Sequence, residues 1–145
     1  MLNQHMTKAT KEKDIVRAWH IIDVRGKTLG RVSGEIAKLL MGKAKPYFVR
    51  NIDCGDYVVV INAKEGKVTG KKEENKMYYR HSMYPGGFKA ESLKELRSRK
   101  PESIITHAVK GMLPQNKLKD KMLTRLHVYA GEEHRFGDKK LETVV

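Results

Sequence analysis

An α/β fold is predicted by three consecutive segments of the chain: a strand over Arg17–Val24, an amphipathic helix that starts near Leu29, and a short strand over Tyr57–Ile61. Two strands joined through a helix take a right-handed crossover by default, and so pair in parallel. The second strand, YVVVI, is almost wholly apolar, the pattern of a strand covered on both faces of a parallel sheet.

The elements follow in order. Residues 1–14 show no periodicity and read as a flexible arm. RAWHIIDV forms the first strand and ends at the Arg25–Gly26 turn. Thr28 is the N-cap expected for the helix. Leu29, Val32, Ile36, Leu39 and Leu40 then recur on one helical face, and Gly42 stops the run. After Asn62, a turn carrying Lys67, Val68 and Gly70 leads into a strand over Lys76–His81, KMYYRH. Lys89–Arg99 reads as a polar helix. Pro101 opens another, with Ile104, Ile105, Ala108, Val109 and Met112 along one side and Gly111 and Pro114 at its end. Asn116–Arg125 reads as a basic helix and Leu126–Ala130 as the final strand. The expected division is therefore an arm over 1–14, one domain over 15–134 and an irregular tail over 135–145.

Composition narrows the function. The chain carries 30 Lys+Arg against 17 Asp+Glu, a formal charge of +13. A small domain needs a net charge of only about 2 to 8 for solubility, so the excess favours a polyanionic partner, nucleic acid ahead of an anionic membrane surface. The excess is uneven: 11 cations against 6 anions in residues 1–60, 16 against 7 in 61–125, and 3 against 4 in 126–145. The middle of the chain should therefore supply most of a binding face. A single cysteine, Cys54, excludes an internal disulfide and a cysteine-based zinc site and fits a reducing compartment. No segment has the length of a membrane span or the apolar core of a secretory signal, which points to the cytoplasm.

Lys76, Tyr79, Arg80 and His81 of KMYYRH, followed by the loop SMYPGG, combine cations with aromatic rings. Such a mixture suits phosphate neutralisation and stacking on sugars or bases. GKVTGKK aims Lys71 and Lys72 from a glycine turn. It is not a nucleotide phosphate loop, because three residues rather than four separate Gly66 from Gly70 and no Ser or Thr follows the lysine. RGKTLGR places Lys27 and Arg31 beside a helix N-terminus without the three-glycine dinucleotide fingerprint. GKAKPYFVR supplies Lys43, Lys45 and Arg50 around Tyr47 and Phe48, with Phe48 expected in the core. KGMLPQNKLKDK adds Lys110 and Lys117 around an apolar plug, Met112 and Leu113. Solvated surface is the plain alternative for each of these cations. The DCGD segment offers Cys54 no neighbouring base, so Cys54 reads as a small buried hydrophobe, and Asp53 and Asp56 as turn or capping groups. The six histidines show no metal-ligand spacing. No cofactor, metal or small-molecule substrate is expected.

These motifs, taken in order, resemble the bacterial-type family of large-subunit ribosomal protein thirteen. The matching pieces are W-x-x-x-D at Trp19–Asp23, T-L-G-R at Thr28–Arg31, the stretch ending G-K at Lys43, and G-D-Y-V-V-V-I-N-A at Gly55–Ala63. They continue with T-G-x-K at Thr69–Lys72, Y-Y-R-H-S at Tyr78–Ser82, P-G-G at Pro85–Gly87, K-G-M-L-P at Lys110–Pro114, and V-Y-x-G-x-x-H ending at His134. The resemblance implies a three-layer α/β/α fold with a central, mainly parallel four-stranded sheet. It implies a non-catalytic protein that binds large-subunit rRNA, acts early in subunit assembly and lies beside other large-subunit proteins. It carries rRNA contacts onto Lys27, Arg31, Lys43, Lys71, Lys72, Tyr79, Arg80, His81, Lys110 and Lys117. The chain departs from the family after His134, where it reads RFGDKKLETVV, and at Tyr47–Arg50, so no contact is carried onto the tail or Arg50. Two rival readings are a small α/β enzyme acting on nucleotides or nucleic acid, which lacks a complete catalytic motif here, and a free-standing messenger-RNA regulator using the same face.

Overall fold

The computed structural model describes residues 9–144. Residues 1–8, most of the stretch read as a flexible arm, lie outside the described residues. Eleven elements follow in the order β1 (Trp19–Asp23), α1 (Leu29–Met41), β2 (Tyr57–Ile61), α2 (Lys72–Asn75), β3 (Met77–His81), β4 (Phe88–Ser92), α3 (Leu93–Arg99), α4 (Pro101–Met112), α5 (Lys119–Thr124), β5 (Leu126–Val128) and β6 (Leu141–Thr143). The central sheet has the order β5-β2-β1-β6, and every pairing in it is parallel. With helices packed around this sheet, the architecture agrees with the α/β/α fold that the family resemblance implies.

The crossover from β1 through α1 to β2 positions everything else. Ile22 and Val24 point to the same side as Val58 and Val60, and Val32, Ile36 and Leu40 of α1 with Ile104, Ile105 and Val109 of α4 close over them. Each such fully buried side chain contributes about 1.5–3 kcal/mol. Alternate residues face the other way, where Trp19 stacks on Tyr57 with ring centroids 4.3 Å apart, and Phe136 lies 4.8 Å from Trp19. α1 ends where the left-handed Gly42 (φ 72°) donates its N–H to the Leu39 carbonyl at 3.0 Å. A side chain there would stand 2.4 Å from the Cys54 carbonyl oxygen, so only glycine fits.

Two expectations change, and one strand takes a place the sequence left open. The strand KMYYRH joins no central pairing; β3 and β4 form a separate two-stranded antiparallel hairpin. The helix expected over Lys89–Arg99 begins only at Leu93, because Ser92 caps it: the Ser92 hydroxyl accepts from Glu95 N–H and Glu95 accepts from Ser92 N–H at 2.9 Å. The residues before it are therefore strand. The tail expected to be irregular supplies β6, paired with Trp19–Ile21 and extended by Val144 N–H donating to the Ile21 carbonyl at 3.1 Å. β1 would otherwise expose its ladder groups to water along a sheet edge.

Candidate nucleic-acid interface

The β3–β4 hairpin divides its side chains between two faces, because side chains alternate along each strand. On one face Tyr78 and Arg80 stand opposite Glu91 and Lys89. This face looks toward α3 and α4: Tyr78 meets His107 edge-on with ring centroids 5.3 Å apart, and the Glu91 carboxylate accepts from Arg99 Nε at 2.9 Å and Nη2 at 2.6 Å. The hydrogen bonds from Arg99 hold the Glu91 carboxyl below the usual carboxylate range. On the other face Met77, Tyr79 and His81 stand opposite Ser92, Ala90 and Phe88. Tyr79 and Phe88 stack at 5.7 Å and remain 66% and 60% exposed. The tip carries Met83 and Tyr84, both exposed, and Met83 N–H donates to His81 Nδ1 at 2.9 Å. That bond leaves the other ring nitrogen of His81 available to donate.

The remaining sequence-predicted residues divide into two patches. Lys27 and Arg31 line a surface hollow at the start of α1, and the parallel bridge Thr28–Lys67 brings that end beside the segment leading to Lys71 and Lys72. Lys71, Lys72 and Lys76 share a second hollow, with the Lys76 ammonium 5.2 Å from the centre of the Tyr78 ring. This patch runs on into the hairpin. Lys43 lies past the other end of α1, roughly 20 Å along the helix axis. There it lines an apolar groove with Arg50, Phe48, Pro114, Asn116 and Met122. Lys110, near the end of α4, and Lys117, in the turn that follows, are exposed on that side.

Lys45 has a different part. Its ammonium donates to the carbonyls of Val16 (2.7 Å) and Cys54 (2.9 Å) and to Asp56 Oδ1. All three donors are engaged and the side chain is 15% exposed, which leaves none for a phosphate. It belongs to a buried network built on the DCGD loop. Asp53 pairs with both terminal nitrogens of Arg125, which also donates to the Leu40 carbonyl at 3.2 Å. Arg17 donates to the Asp53 carbonyl at 3.0 Å, and Asp56 accepts from Ala18 N–H at 2.9 Å and faces His20 Nε2 at 3.2 Å. Asp53 and Asp56 are thus buried ion partners, and Asp53 also accepts from Gly55 N–H at 3.4 Å, the turn contact expected of it. Gly55 between them has no alternative, since a Cβ would stand 1.7 Å from the Leu40 carbonyl oxygen. Cys54 is fully buried.

The hairpin also contains residues that the sequence reading left out. Lys89 and Phe88 sit directly across from Arg80 and His81, and Arg99 flanks the groove beneath. The signal that would have found them is the capping box S-L-K-E at Ser92–Glu95, which fixes the helix start and releases Phe88–Ser92 to pair with β3. Among the described residues no three of His, Cys, Asp or Glu are grouped to hold a metal ion, and no helix is long and apolar enough to cross a membrane.

The family model described as ribosomal protein L13 matches residues 17–135. The large ribosomal subunit protein uL13 of Dehalococcoides mccartyi is 57% identical over 128 residues, 88% of this chain and 90% of that protein. The protein of the same name from Aquifex aeolicus is 53% identical over 128 residues, covering 88% and 89%. That from Geobacillus kaustophilus is 48% identical over 136 residues, or 94% of each chain. The match spans β1 through β5, and with it the hairpin, the DCGD network and both basic patches, so the chain belongs to the ribosomal protein L13 family.

Proposed function

We propose that the chain docks on folded large-subunit rRNA through the two basic patches, and that this docking supports early assembly of the subunit. As a member of the family it is a structural, non-enzymatic constituent of the large ribosomal subunit. Its partners are accordingly rRNA and neighbouring ribosomal proteins, and its place is the cytoplasmic ribosome.

The observation that carries the rRNA reading is the division among the cations. Arg17, Lys45, Arg97 and Arg125 are held by carboxylates or carbonyls within the fold. Arg31, Lys43, Lys71, Lys72, Arg80, Lys110 and Lys117 stand exposed and form no ion pair among the described residues. Exposed cations without internal partners, interleaved with Tyr79 and Phe88, supply what a phosphate backbone with accessible sugars and bases requires. Lys27, at the start of α1, and His81, in the hairpin, complete the two ends of the first patch. Because the two patches sit at opposite ends of α1, the reading has the protein bridging separate RNA segments, with RNA shape rather than a base code supplying specificity.

Binding of purified protein to large-subunit rRNA across a range of salt tests this. Arg80→Ala should weaken binding about tenfold and lower the salt slope by about 0.7–0.9, the value of one phosphate contact, while the thermal midpoint stays put. Unchanged binding with an early-melting variant would make Arg80 a structural residue and defeat the reading. The assembly role is tested separately by reconstituting subunits with the protein withheld: a block before late-binding proteins join supports it, and normal early intermediates oppose it.

A further inference from the structure

Arg80 and Lys89 stand directly opposite each other across the β3–β4 pair, so their Cβ atoms are roughly 4.5–5.5 Å apart. Like charges in that position repel and weaken a hairpin. Neither has an ion-pair partner among the described residues, and the one carboxylate nearby, Glu91, is already held by two hydrogen bonds from Arg99. Both cations nevertheless line the same open groove, whose far wall is made by Leu96, Ser103 and His107 of α3 and α4. A protein that places two free cations face to face over a groove has left room for an anion between them.

We infer that this groove is a phosphate cradle, in which Arg80 and Lys89 close on one and the same backbone phosphate of an RNA strand. The inference rests on the rRNA-binding reading and adds the ligand group and the geometry. A phosphodiester suits the pair because its two unesterified oxygens accept from a planar guanidinium and a compact ammonium at once. An RNA strand, unlike an isolated acidic side chain, also continues in both directions along a groove that is open at its ends. Tyr78, whose ring lies against His107 and under the Lys76 ammonium, gives the groove a flat wall for the adjoining sugar. Lys89 thereby becomes a binding residue of equal standing with Arg80.

Three proteins, Arg80→Ala, Lys89→Ala and the double variant, decide the matter with two readouts. In rRNA binding, each single change should cost about tenfold, and the double variant should lower the salt slope by no more than about 0.7–0.9, the value of one phosphate. A loss in the double of about twice that value means two separate phosphates and overturns the shared cradle. In thermal melting without RNA, inorganic phosphate should raise the midpoint of the unaltered protein more than that of any variant. Without phosphate, Lys89→Ala should melt at or above the unaltered protein because the repulsion is gone. An early-melting Lys89→Ala, or an equal phosphate effect in all four proteins, overturns the cradle. If all variants bind rRNA normally but are lost from assembled subunits, the occupant is a protein carboxylate and the cradle is wrong. Failure of the broader reading looks different: the unaltered chain itself does not bind rRNA, while the phosphate response still reports on the groove.

Discussion

The DCGD loop and the β3–β4 hairpin use the same residue types for opposite ends. In the loop, Asp53 and Asp56 draw in Arg125, Arg17 and Lys45; the carboxylates and Arg125 are buried, Arg17 and Lys45 partly so, and every charge is multiply hydrogen-bonded within the fold. In the hairpin, Arg80 and Lys89 share one strand face and reach solvent without a carboxylate of their own. A net charge of +13 counts both sets alike. What separates them is tertiary: whether a carboxylate from a distant segment arrives beside the cation. Formal charge therefore overstates the binding surface, and the structure shows by how much at each position.

The strongest way to break this contrast is to remove Asp53. Asp53→Ala leaves the Arg125 guanidinium buried without its counter-charge and should cost about 3–5 kcal/mol in denaturant unfolding. Its rRNA affinity, measured per folded molecule, should be unaltered; a specific loss of affinity would merge the two regions into one. Lys45→Met comes next. It should lower stability by about 1–3 kcal/mol by depriving Asp56 of a buried partner, with no change in the salt slope of rRNA binding. A reduced slope at full stability would return Lys45 to the interface. The pair Lys71→Ala with Lys72→Ala should behave in the reverse way, leaving the thermal midpoint in place and lowering the slope by up to about twice the single-contact value of 0.7–0.9.

Smaller effects sharpen the picture at its margins. Ser92→Ala should cost about 1 kcal/mol by uncapping α3, and should loosen the hairpin that enters it, seen as faster amide exchange in β4. The last prediction concerns His127, whose partial burial beside Trp19 and Phe136 pushes its pKa below the ordinary value. The unfolded chain then binds the proton more readily, so stability is full above about pH 6.5 and declines as pH falls through the folded value. His127→Phe should flatten that decline; an unaltered pH profile would show that the ring titrates freely.

The sequence shows some of this arrangement and hides the rest for identifiable reasons. β1, α1 and β2 are legible because their periodicities are enforced by a shared core, and Gly42 because one close approach admits no side chain. The cluster at Tyr79–His81 is legible as exposed because no strand interior tolerates it. Lys43 and Lys45 are alike in the sequence, two residues apart in GKAKPYFVR; Asp56, eleven residues on, with the carbonyls of Val16 and Cys54, turns Lys45 inward. The Arg125–Asp53 pair spans 72 residues and leaves no local trace. β4 was obscured by its charged residues, although the capping box behind it was in plain view. β6 has three residues, too few for any periodicity, and is a strand because β1 offers it an unpaired edge.

That last strand has a consequence for the order of folding. β1 can pair with β2 once residue 61 has emerged during synthesis, but its other flank waits for residues 141–143, at the opposite end of the described chain. The hairpin, by contrast, joins residues only a few positions apart and closes on a far shorter timescale. A newborn chain thus holds its β3–β4 hairpin before its central sheet is sealed. Clipping the protein ahead of Leu141 would leave it permanently in that unsealed condition, with a bare strand open to self-association.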